Sequence, residues 1–181
     1  QLKRYRSTLA TMRGQRAPEA GAAMDDIVAI GKIRLESQLR EALTERHLEV
    51  YLQPLYEVPA GRVAGYEALV RWNHPEKGLL GPGTFLEMLE ETGEIVSVGR
   101  KLLLAACRQT ARWHAVGFSG LHVAVNISSK EFWHASLLDN VRAALAESGL
   151  PAPSLQLELT EGIFMKDIDL AAARIQALKA Q

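Results

Sequence analysis

Apolar and polar positions alternate with a period of two along GYEALVRWNHP, residues 65–75. A strand places successive side chains on opposite faces, so Tyr66, Ala68, Val70 and Trp72 share one face. Glu67, Leu69 and Arg71 share the other. The same alternation recurs in LEVYLQPLYEV, where Glu49, Tyr51, Gln53 and Leu55 line up. In GLHVAVNIS, Leu121, Val123, Val125 and Ile127 oppose His122, Ala124 and Asn126. In SLQLELTEG, Leu155, Leu157 and Leu159 oppose Gln156, Glu158 and Thr160. Only the short Ala60-Gly61 turn joins the two earliest segments, which predicts an antiparallel pair.

Elsewhere the period changes to that of a helix. A helix is expected from Met24, with Ile27, Ile30, Ile33, Leu35, Leu39 and Leu43 recurring at near-helical spacing. Thr84 and Glu87 form a T-x-x-E capping pattern ahead of a short helix that ends at Gly93. A longer helix carries Ile95, Val98, Leu102, Ala106 and Trp113 on one stripe and stops at Gly117. Ser128 and Glu131 repeat the capping pattern, a helix follows from about Ser136 to Glu147, and a last one starts near Asp169.

Strands that alternate with helices after an opening antiparallel pair predict an α/β fold with parallel strands. Helices cover the sheet in such folds, yet three strands put polar groups on one face near their carboxyl ends: Glu67 with Arg71, Asn126, and Glu158. Solvent on all three polar faces would need an uncovered parallel sheet, which is rare. A site at the carboxyl ends of the strands, where α/β barrels gather their chemistry, is the reading the pattern favours.

Bulk composition narrows the partners. Of 181 residues, 48% are hydrophobic and 23% charged, as in an ordinary globular protein. Lys plus Arg equals Asp plus Glu at 21 each, so net charge points to neither a nucleic acid polymer nor an acidic membrane. Basic residues (Lys3, Arg4, Arg6, Arg13, Arg16) gather in residues 1–24, an Ala/Gly/Pro-rich stretch that reads as a linker. Residues 25–46 read as a connecting helix and 47–181 as the domain. Cys107 alone excludes an internal disulfide and, within LLLAAC, suits a buried packing role. No signal peptide pattern appears, and no apolar run approaches the about 20 residues a membrane span needs. A cytoplasmic segment without membrane contact is expected, whatever anchors its parent protein.

Two carboxylates and an amide oxygen on neighbouring strands form a hard-oxygen set suited to Mg²⁺ or Mn²⁺. Arg71 beside them suits a phosphate oxygen, because its guanidinium offers paired donors. On the residues alone, Gln53 serving backbone groups and Arg71 serving a structural ion pair stay open. His47, His74, His114, His122 and His134 show no metal-ligand spacing.

The literal residues are more specific. YLQPLYEV, GYEALVRWNHPEKGLLGPGTFLEMLEETG, ACRQTARW, VAVNIS and LELTE, in that order, resemble the EAL family of cyclic-di-GMP phosphodiesterases from about Leu35 onward. Glu67-Ala68-Leu69 is the signature tripeptide. The resemblance implies a TIM-like barrel with an antiparallel first strand, about half of which falls in this chain. It implies Mg²⁺ or Mn²⁺, two ions in the complete site, with Glu67, Asn126 and Glu158 as metal ligands. Gln53, Leu69 and Arg71 would bind the dinucleotide, with Arg71 on a phosphate, and Glu161 would steady a loop near the metals. The family's Asp-Asp pair and catalytic Lys are expected downstream of Gln181, so no catalytic residue is expected in this chain and the segment alone is expected to be inactive. MDDIVAIGKIRLESQLREAL resembles the helix that leads into EAL domains, often after a GGDEF domain, which implies a multidomain signalling protein and leaves a homodimer open. The alternative is an EAL domain that binds cyclic di-GMP or a protein partner without cleavage. Retention of every ligand position within reach favours the enzyme.

Overall fold

The structure, a computed structural model, describes residues 17–45, 47–165 and 167–180. Residues 1–16 of the expected linker, with their basic side chains, lie outside the described residues. The chain forms two compact units, residues 1–45 and 46–181.

Among the described residues, the first unit is helix α1, Ala17–Glu45. It starts at Ala17 rather than Met24. Alanine favours helix, and Pro18 falls in the first turn, where its missing N–H would have had no intrahelical partner. The expected apolar stripe is not continuous: Leu39 and Ala42 are buried, whereas Ile30 and Ile33 are exposed. At about 100° per residue, Ile30 and Ile33 fall on the side opposite Leu39 and Ala42.

The second unit is built on one sheet. Its strands are β1 (Leu48–Glu57), β2 (Arg62–His74), β3 (Gly78–Leu80), β4 (His122–Ile127) and β5 (Leu155–Leu159). The order is β1-β2-β4-β5, with β3 paired to the end of β2. β1 runs antiparallel to β2, while β2, β4 and β5 run parallel, as expected for an EAL-type barrel seen in part. Connections are helical: α2 (Leu86–Thr92) and α3 (Ile95–Ala115) lead to β4, and α4 (Ser129–Trp133) and α5 (Leu137–Ser148) lead to β5. α6 (Ile168–Lys179) follows, its first turn capped by Asp167 Oδ1, which accepts from the Leu170 N–H at 2.9 Å. Among the described residues no helix is long and apolar enough to cross a membrane.

β3 has no alternation to announce it. It exists because His74, 1% exposed, accepts the N–H groups of Glu76 and Lys77 on Nδ1 at 3.1 and 3.2 Å, which folds the chain back onto β2. The expected Thr84–Glu87 capping box does not form. Thr84 ends a short 3₁₀ turn and Phe85 takes the position before α2 with no side-chain cap. Phe85 is fully buried edge-on to Trp72, ring centroids 5.8 Å apart, so packing rather than a hydroxyl sets where α2 begins.

The core lies on one side of the sheet. Ala68, Val123, Val125 and Ile127 pack with Leu102, Leu103, Ala106 and Cys107 of α3, and with Phe132, Val141 and Ala144 of α4 and α5. Burial pushes the Cys107 thiol up to about 11, as befits a packing residue. Because Leu103 is only 2% exposed at this helix–sheet contact, Leu103→Ala should lower stability by about 2–5 kcal/mol. Urea unfolding checks it: the midpoint should fall with an unchanged slope.

Candidate active site

Since Ala68, Val123 and Val125 face the helices, their alternate neighbours face the other way. Pairing in register aligns Glu67 with Gln53 on β1 and with Ala124 on β4. Asn126 is level with Glu158 on β5. The face opposite the core therefore carries Gln53, Glu67, Leu69, Arg71, Asn126 and Glu158 across four adjacent strands. Gln53 and Asn126 are exposed, and Glu67, Leu69, Arg71 and Glu158 are half-buried.

Two of these side chains touch. Asn126 Nδ2 donates to Glu67 Oε1 at 2.6 Å, although the two residues lie on different strands and far apart in sequence. Glu158 Oε1 is 3.5 Å from Gln156 Nε2 and sits one strand beyond Asn126. Arg71 bonds through Nη1 to the Val70 carbonyl at 3.0 Å, which turns the guanidinium back along β2, and its cross-strand neighbour is Glu49. Glu161 is exposed in the 3₁₀ turn Glu161–Ile163 directly after β5. The sheet thus brings Glu67, Asn126 and Glu158 together on one face, with Gln53, Leu69 and Arg71 beside them, and leaves Glu161 at its edge.

The sequence dictates this spacing locally. Gly65, level with His122, has no room for a side chain: a Cβ there would meet the His122 ring at 2.8 Å. A Cβ would also collide with the His122 carbonyl oxygen, so only glycine lets β2 and β4 pair this closely where their ladder begins. Beside the site a cavity of about 430 Å³ is lined by Leu69, Val70, Pro82, Leu86, Asn126 and Thr160, among others.

The donor set fits a hard divalent cation in kind, since its carboxylate and amide groups present oxygen. Among the described residues no cluster of three or more His, Cys, Asp or Glu side chains could hold a metal by itself. A cation here would rely on the Asn126 amide oxygen and on oxygens from outside this set, a pattern that suits Mg²⁺, which keeps several waters.

A residue outside the expected set lies just past β4. Ser128 and Glu131 form the expected capping box: Glu131 Oε2 accepts from the Ser128 N–H at 3.0 Å and its hydroxyl at 2.6 Å, and Ser128 Oγ accepts the Glu131 N–H at 3.3 Å. Glu131 is 7% exposed. Burial raises its carboxyl above the ordinary 4.5, the Ser128 bonds oppose the shift, and the charge of Glu90 adds to it.

The folded protein consequently keeps the Glu131 proton to higher pH than the unfolded chain does. Its contribution to stability is fullest below pH 4.5 and fades as pH rises through the folded value. The stability of wild type relative to Glu131→Gln should therefore decline from acid to neutral pH. Urea titrations across that range measure it, and a flat difference would remove this assignment.

Comparison with known proteins agrees with the fold. The family described as EAL domain matches residues 36–181. The chain is 42% identical over 149 residues to the bifunctional diguanylate cyclase/cyclic di-GMP phosphodiesterase MucR of Pseudomonas aeruginosa, covering 82% of this chain and 22% of that protein. It is 40% identical over 151 residues to the cyclic di-GMP phosphodiesterase NbdA of the same organism, covering 83% and 19%. The chain thus spans about a fifth of the length of these curated relatives. Among solved structures, the MucR phosphodiesterase in complex with c-di-GMP matches with a TM-score of 0.78 at 42% identity, over 81% of this chain and 60% of that one. The FimX EAL domain of Xanthomonas citri, in complex with c-diGMP, shares the fold with a TM-score of 0.71 at 24% identity, over 84% and 59%.

Proposed function

The chain belongs to the EAL domain family, and on that premise we propose that its full-length protein hydrolyses one phosphodiester bond of cyclic di-GMP to the linear dinucleotide. Mg²⁺ or Mn²⁺ would be held by Glu67, Asn126 and Glu158. The observation that carries this reading is the 2.6 Å contact of Asn126 with the signature Glu67, with Glu158 level with Asn126 on the next strand. Relatives named as cyclic di-GMP phosphodiesterases at 40% identity or more support the substrate.

Each residue has a distinct task in this reading. Glu67 and Glu158 bring one negative charge each and Asn126 a neutral oxygen, so the three would formally balance the charge of one divalent ion. When bound, such an ion supplies Lewis-acid stabilisation of phosphoryl oxygens and makes water more acidic. Arg71 would leave the Val70 carbonyl for a phosphate oxygen, a stronger, charge-assisted partner. Leu69 lies one same-face position before Arg71 on β2 and Gln53 of β1 sits opposite Glu67, one apolar and one polar, to orient the dinucleotide. The cavity next to Leu69 and Asn126, largely aliphatic in its lining, suits the face of a purine.

The test uses full-length protein with cyclic di-GMP. Wild type should form linear dinucleotide with Mg²⁺ or Mn²⁺ and stop when the metal is chelated. Glu67→Gln should lose about 100-fold or more of that turnover with the metal. Arg71→Ala should weaken cyclic di-GMP binding by about 1.5–3 kcal/mol in calorimetry while Mn²⁺ affinity holds. Binding by wild type without any turnover would make the domain a receptor and overturn the hydrolytic reading. Unchanged nucleotide affinity in Arg71→Ala would remove the phosphate role.

A further inference from the structure

Asn126 is the residue before the last of β4, and the chain turns into α4 at once. The β4–β5 ladder fixes the face Asn126 is on, and the turn that follows limits how far the backbone at the strand end can shift. The turn here is held by a carboxylate that touches neither Glu67 nor Asn126. Glu131 Oε2 takes both the N–H and the hydroxyl of Ser128, two residues past Asn126.

Its other oxygen packs against a second element. A Cβ added to Gly99, in the middle of α3, would collide with Glu131 Oε1 and lie 2.7 Å from the carboxyl carbon. The carboxylate thus occupies the volume where any other residue at 99 would carry its side chain. The neighbouring void, bordered by Arg100, Ser136 and Asn140, measures about 10 Å³, roughly one water. On its other side Glu131 borders the cavity of about 430 Å³ beside Asn126, so the Ser128 bonds, rather than close packing all round, hold the carboxylate in place. Lys130, beside it, donates to the Glu90 carbonyl of α2 and fixes the same turn from the other side.

We infer that Glu131 is a positioning residue for Asn126, bracing the β4–α4 turn against Gly99 of α3 so that the amide is held at Glu67. The inference rests on the metal-site reading above only for its consequence, since the geometry is present without a cation. A buried carboxylate costs more than an apolar residue of the same size unless its bonds are needed. Burial raises this one's proton affinity, and the bonds from Ser128 work against that rise. An acid at a plain structural position would be easily replaced; one clamped between a catalytic-face strand and a side-chain-free helix position is placed for precision.

The experiment uses full-length protein carrying isotope-labelled asparagine, with Asn126→Ala assigning the Asn126 side-chain amide by NMR in the absence of metal. In Glu131→Ala that resonance should move toward a free amide, and Mn²⁺ affinity at the site that Glu67→Gln abolishes should fall about tenfold. Glu131→Gln keeps an acceptor for the Ser128 N–H and should restore both. Gly99→Ala leaves residue 131 intact and raises helix propensity, yet should reproduce the Glu131→Ala pattern by displacing the carboxylate. Once Asn126 is already alanine, adding Glu131→Ala should cost no further Mn²⁺ affinity, because the two act as one unit. An Asn126 resonance unmoved in both Glu131→Ala and Gly99→Ala, or additive losses in the double variant, would overturn the inference. Wild type that takes up no Mn²⁺ would refute the metal reading alone, and the amide resonance would still decide the role of Glu131.

Discussion

In β2, β4 and β5 the pairing of Ala68 with Val125 and of Asn126 with Glu158 decides which side chains share a face. Side chains repeat every second residue, so a slip of one position would invert a whole strand. Glu67 would then enter the layer formed by Leu102, Ala106 and Val125, and Ala68 would take its place outside. Burying an unpaired carboxylate there would cost several kcal/mol. The apolar layer under the helices therefore holds the polar layer in register, although the two never touch. What makes the core cohere also makes the site.

The polar face differs from the core in how it is held. Leu103 and Val123 are fixed by close packing from all sides. Glu67 and Asn126 are held by one direct hydrogen bond and by backbones whose position is imposed from behind. Among the described residues, Gly65 against His122 and Gly99 against Glu131 are the places where the absence of a side chain lets another element come close. The first lies where the β2–β4 pairing begins, the second between α3 and α4 beyond the end of β4, so close approach is needed at both ends of the strand that carries Asn126.

Much of this was legible in the residues because alternation is a strong signal. Tyr66 to Trp72 and Val123 to Ile127 state their faces unambiguously, and the face of every polar candidate follows from them. The signal failed where tertiary packing outweighed local chemistry. Thr84 looks like a helix cap, but burial of Phe85 against Trp72 moved the start of α2 past it. Ile30 and Ile33 look like core, but they fit no single stripe with Leu39 and Ala42. β3 rests on a histidine ring folding its own loop, which no period reveals. The capping pattern at Ser128 and Glu131 was readable; that its carboxylate would reach Gly99 on another helix was not, since such contacts are set only when α3 and α4 meet.

The antiparallel direction of β1 has a consequence in time as well as in space. β1 and β2 are consecutive and joined by a tight turn, so their ladder can close at the small entropic cost of a short loop. Hairpins of this kind form in about 1–10 μs. β4 and β5 can join only after whole helical connections have been brought back to the sheet, a non-local and slower event. Gln53, Glu67, Leu69 and Arg71 are thus aligned by a local pairing of consecutive strands. Asn126 and Glu158 arrive with strands that dock through non-local pairing. One half of this surface has a folding history independent of the other, and a nascent chain displays the first before it can assemble the second.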